Sequence, residues 1–115
     1  MKPSLELVTQ DTCSLVALDK ILHLEADGSY TKVFYKKNKI VKEHVESRHL
    51  KTFEKQLDER FVRIHRSRFV NSDKVTTFNI KTHTVTLNMP DSPNFQVARR
   101  TWRFFRNLIR SSKNR

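Results

Sequence analysis

The stretch Phe61 to Asn71, FVRIHRSRFVN, constrains the fold more than any other part of the chain. Arg63, His65, Arg66 and Arg68 sit among the apolar residues Phe61, Val62, Ile64, Phe69 and Val70, with Arg60 just before. In a strand, side chains alternate between faces, so one continuous strand would place Arg66 and Arg68 on the face of Val62 and Ile64. The pattern therefore predicts two short apolar anchors flanking an exposed bend at His65 to Arg68. A multiply basic bend on rigid supports can hold phosphates and reach base edges.

The whole chain is consistent with a polyanionic partner. Its 115 residues suffice for one domain with a modest core. Lys and Arg number 23 against 12 Asp and Glu, a net charge of +11. Such an excess points to nucleic acid first and to an anionic membrane surface second. Cys13 is the only cysteine, so neither an intrachain disulfide nor a cysteine-based zinc site is available. The N-terminus lacks an apolar run of signal-peptide length, and no run approaches a membrane span, so a cytoplasmic location is expected.

Taken in order, residues 5–18 read as two short strands joined by a turn at Thr9 to Thr12. Ile21 to Glu25 is a further strand, followed by the turn Ala26-Asp27-Gly28-Ser29, which holds the chain's one glycine. That glycine suggests a position of positive φ. Tyr30 to Tyr35 and Lys39 to Val45 form a hairpin around Lys36-Lys37-Asn38. Ser47 is a suitable N-cap for a short helix burying Leu50, Phe53 and Leu57. After the basic bend, Asn71-Ser72-Asp73 reads as a turn, and Val75 to Ile80 and Thr84 to Leu87 as strands. The loop 88–94 contains two prolines. Phe95 to Ala98 is a last short strand, and Arg99 to Ile109 a helix with Trp102, Phe105 and Ile109 on one side. Arg99, Arg103, Arg106 and Arg110 lie opposite, and residues 99–115 hold seven Lys or Arg and no acid. This helix could cap the core, lie on an anionic membrane or enter a partner's groove.

Enzyme readings find little support. The five histidines are scattered without metal-ligand spacing. Ser67 lies near His65, but neither an orienting carboxylate nor a glycine-rich oxyanion loop accompanies it. A single glycine also precludes the familiar phosphate-cradling loops, so no cofactor is expected. RNA binding would call for exposed aromatic platforms, whereas most phenylalanines fall at core-like positions.

The residues Phe61-Val62-Arg63-Ile64-His65-Arg66-Ser67-Arg68-Phe69-Val70-Asn71 resemble the F-x-R-x-H-R-S-x-x-V-N signature of the LytTR DNA-binding domain of bacterial response regulators. Ile21-x-x-Leu24-Glu25-Ala26 followed by Tyr30, and Leu50-x-x-Phe53-Glu54-x-x-Leu57, support the likeness. Val97-Ala98-Arg99-Arg100 resembles the family's V-S-R segment, with alanine where serine is usual. The resemblance spans about residues 5–110. It implies a mainly β fold of elongated antiparallel sheets, with one short helix in the middle and a C-terminal helix over about 99–110. It also implies loops entering successive major grooves of double-stranded DNA. By the same resemblance Tyr30, Arg66 and Arg99 read bases, while Lys32, Arg63, Ser67 and Arg100 contact phosphates and His65 supports the bend. Tyr30 could equally be a core aromatic. The family further implies two copies on repeated sites and a receiver domain, phosphorylated on aspartate, in a longer chain. The competing reading is a membrane-surface or protein-interaction module acting through the helix Arg99 to Arg115.

Overall fold

A computed structural model of the protein describes residues 3–113. Its centre is a fully antiparallel sheet of five strands in the order β5-β4-β3-β7-β6. These are β3 (Ile21–Asp27), β4 (Tyr30–Lys37), β5 (Ile40–Glu46), β6 (Phe61–His65) and β7 (Arg68–Asn71). Both faces of the sheet are covered. On one lies the hairpin β1 (Ser4–Val8) and β2 (Cys13–Ala17) with the short helix α1 (Leu50–Glu54). On the other lies a three-stranded sheet of β8 (Val75–Asn79), β9 (Thr84–Leu87) and β10 (Phe95–Gln96), with the helix α2 (Arg99–Lys113). The described residues measure 45 × 30 × 27 Å along their principal axes.

Coverage on both sides explains why β3 opens with four buried residues in succession, Ile21 to Leu24, instead of alternating. The central strands divide their apolar side chains between two cores. Leu24, Val33, Phe61 and Phe69 pack with Leu5, Leu7, Leu50 and Phe53 on the first face. Leu22, Val62, Ile64 and Val70 pack with Val85, Phe95, Trp102, Phe105 and Ile109 on the second. The period of two expected for Phe61 to Ile64 therefore holds within β6, and the chain reverses where the pattern breaks. Asn71, at the end of β7, is fully buried and satisfied: its Nδ2 donates to the Ile21 carbonyl at 2.9 Å, and its Oδ1 accepts from the Asp73 N–H at 3.0 Å.

Turn geometry follows side-chain chemistry. Asp27 pairs with Tyr30 across the two-residue turn Gly28-Ser29. Gly28 has φ +61° and a Cβ there would meet nothing within 4 Å, so backbone conformation, not space, calls for glycine. The β4–β5 turn lies at Asn38-Lys39, later than Lys36-Lys37-Asn38. Both residues have positive φ, 54° and 67°, the mirror-image turn that matches strand twist.

Ser47 is not the cap of α1. The helix starts after His49, without any side-chain cap bond; β5 runs to Glu46, and Ser47 and Arg48 form the link between the two. Leu57 lies beyond the helix end, partly buried against the same core. In place of a cap, Arg48 sits over the Phe53 ring at 4.5 Å and pairs with Glu46. Burial pushes the Glu46 carboxyl up, but hydrogen bonds from Arg48, the Val8 N–H and His44 outweigh it and hold it at about 2. Glu46 thereby ties the tip of β1 to the edge of the central sheet.

Candidate nucleic-acid interface

One end of the central sheet gathers the predicted contact residues. There β3 leads through Gly28-Ser29 into β4, and β6 leads through Arg66-Ser67 into β7. The Ala26 N–H donates to the Ser67 carbonyl at 2.8 Å, joining the two turns. The Ala98 N–H donates to the Ile64 carbonyl at 2.6 Å, which seats the start of α2 beside the end of β6. Tyr30, Arg66 and Arg99, far apart in sequence, thus project from neighbouring elements at the same end.

The β6–β7 bend is a braced hairpin. Its register shifts between Arg63 and His65, a bulge of the kind that re-aims side chains at a sheet's end. Neither Arg66 nor Ser67 has positive φ, so the turn is not the mirror-image type usual for two-residue loops. Side chains hold it instead. His65 Nδ1 accepts from the Ser67 N–H at 3.2 Å and lies 2.9 Å from the Ser67 hydroxyl. Arg63 donates through Nη2 to the Arg66 carbonyl, with its guanidinium 5.6 Å from the Phe69 ring centre. With its carbonyl taken, Arg66 keeps an exposed guanidinium that has no partner among the described residues.

The other candidates differ in how free they are. Tyr30 is 53% exposed and so is not a core aromatic. Arg99 and Arg100 are exposed at the start of α2 without ion pairs among the described residues. Lys32 is already engaged: its Nζ lies 3.3 Å from Asp27 and 4.0 Å from Glu43. The Asp27 hydrogen bond and charge raise its pKa above the ordinary lysine value. Arg68, beside Arg66, is a different kind of residue. It is ion-paired with Glu25 and lies 5.0 Å from the Phe95 ring centre, a quarter exposed. Sequence reasoning assigned no role to this pair, and no local spacing could reveal it, since the partners meet only through the β3–β7 register.

In α2, Trp102, Phe105 and Ile109 are buried in the second core. The three apolar residues that the membrane reading named on this helix are thus in the core, while Phe104 stays 62% exposed. No described helix is long and apolar enough to cross a membrane, and no three described His, Cys, Asp or Glu side chains converge as metal ligands.

An antiparallel β domain with basic turns and a helix start at one end has the charge distribution of a polyanion-binding module. The LytTr DNA-binding domain family model matches residues 11–110, and the chain belongs to that family. Its structure is similar to the solved LytTr DNA-binding domain of a response regulator from Bacillus cereus. The two share 28% identity and a TM-score of 0.71, over 95% of this chain and 98% of that one. No match was found among curated proteins.

Proposed function

We propose that this domain binds double-stranded DNA sequence-specifically in transcriptional regulation, as the output domain of a response regulator. Two copies bind repeated sites, each with its turns in successive major grooves. The observation that carries the reading is the exposed Arg66 guanidinium, without a partner among the described residues, on a braced turn beside the elements that carry Tyr30 and Arg99. A guanidinium held this way can pair bidentately with guanine O6 and N7, and a rigid turn reduces the ordering cost of doing so. Arg99 has the same chemistry at the start of α2, and Tyr30 offers one hydroxyl and a ring. Arg63, Ser67 and Arg100 surround these readers as phosphate contacts, joined by Lys32 once it leaves Asp27.

Selection of duplexes from a random pool at fixed salt, followed by titration of Arg66→Ala on the selected site, tests the proposal. The variant is expected to lose roughly 1–3 kcal/mol and to relax preference at one base position. Unchanged affinity and preference would remove Arg66 from base reading.

A further inference from the structure

The turn between β8 and β9, residues 80–83, has no role in the reading above, yet the fold delivers it to the same end of the molecule. β8 begins after the 3-10 turn Ser72–Lys74, at the far end of the central sheet, where the Asn88 N–H returns to the Lys74 carbonyl at 2.8 Å. At its other end the His83 carbonyl accepts from the Val97 N–H at 2.9 Å. The next N–H, that of Ala98, reaches Ile64 at the end of β6. Two consecutive peptide units therefore bridge the β8–β9 turn to the basic hairpin, with Arg99 following directly.

The turn is also held in shape. Asn79 Oδ1 accepts from the N–H groups of Lys81 at 2.9 Å and Thr82 at 3.0 Å. Gln96 Nε2 donates to the carbonyls of Thr82 at 3.1 Å and His83 at 3.2 Å. His83, at φ 57°, stacks its ring on Trp102 with centroids 4.5 Å apart. These bonds engage the N–H groups of Lys81 and Thr82 and the carbonyls of Thr82 and His83. The Lys81 side chain stays exposed, without an ion pair among the described residues.

We infer that the β8–β9 turn is a fourth DNA contact, with the Lys81 ammonium binding a backbone phosphate beyond the Arg99 contact. Lysine is a compact charge with rotatable donors, suited to a phosphate oxygen and poorly suited to bidentate reading of a base. The contact lengthens the row of turns on the duplex and adds affinity without sequence preference.

This inference rests on the DNA-binding reading, so the test measures both. Wild type, Arg66→Ala, Lys81→Ala and Lys81→Glu are titrated against the selected duplex and a scrambled one over a salt series. Lys81→Ala is expected to weaken both duplexes by the same factor and to lower the salt slope by about one. Lys81→Glu is expected to weaken both further. Emission from Trp102, the only tryptophan, verifies that the His83 stack survives each substitution. Wild type that binds neither duplex overturns the DNA-binding reading itself. Wild type that binds, with Lys81→Ala unchanged in affinity and slope, overturns the fourth contact alone.

Discussion

Arg68 and Glu25, 43 residues apart in sequence, are direct cross-strand partners on β7 and β3 and form an ion pair. The pair separates two arginines that look alike in the sequence. Arg66 is left for a ligand, while Arg68 is committed to the frame that holds the β3–β4 and β6–β7 turns side by side. Its guanidinium also rests on Phe95, so it links the central sheet to β10.

Substitution of either partner should therefore affect stability more than specificity. The pair is about one-quarter exposed, between the weak surface case and the buried case in which removing one partner strands the other's charge. Arg68→Ala and Glu25→Gln are each expected to lower unfolding stability by roughly 1–3 kcal/mol, read from urea midpoints. Base preference in the folded fraction should stay that of wild type. A relaxed preference in Arg68→Ala, like that expected of Arg66→Ala, would make Arg68 a reader.

Local patterns in the sequence carried much of this architecture. The failure of period two across Phe61 to Asn71 located the hairpin, because apolar alternation follows directly from strand geometry. The lone glycine marked a turn that needs positive φ, and Trp102, Phe105 and Ile109 marked the buried face of α2. What local pattern could not carry was pairing between distant segments. Glu25 and Arg68 have no sequence spacing to betray them. Ser47 falls two residues before the cap position of α1, in the link that follows β5, where no local pattern marks how long that link is. The β8–β9 turn is an ordinary hairpin in sequence and gains interest only from the bonds at Val97 and Ala98. Tyr30 could not be sorted between core and surface, since an aromatic at a strand's first residue suits either.

Lys32 and Asp27 offer a test of how much charge the interface holds in reserve. Asp27 is well exposed beside the Gly28 turn and neutralises Lys32, the one candidate phosphate contact in an ion pair among the described residues. A carboxylate there also repels DNA. Asp27→Asn is expected to tighten binding to specific and scrambled duplexes alike, with a steeper salt dependence. Lys32→Ala should lower the slope by about one, and Lys32→Ala combined with Asp27→Asn should show whether the gain from Asp27→Asn runs through Lys32. Fluorescence anisotropy across a salt series gives all three values. An unaltered slope in Lys32→Ala would show that the lysine stays with Asp27 on DNA.

His23 makes the domain's stability depend on pH through its core. It is 3% exposed, stacked on Phe34 with centroids 4.2 Å apart and tilted against Phe95 at 4.8 Å. Burial lowers its pKa to about 4, with Glu25 pulling it up and Arg68 pushing it down. Between about pH 4 and 6.5 the unfolded chain binds a proton at this site that the folded domain does not, so stability rises with pH across that window. The contribution is complete above the unfolded pKa and lost as pH falls toward 4, on the order of 3 kcal/mol in all. Urea midpoints for wild type should therefore climb from pH 4 to pH 7. His23→Phe, which keeps an aromatic ring between Phe34 and Phe95, should flatten that climb. An equal climb in the variant would assign the proton uptake to another group.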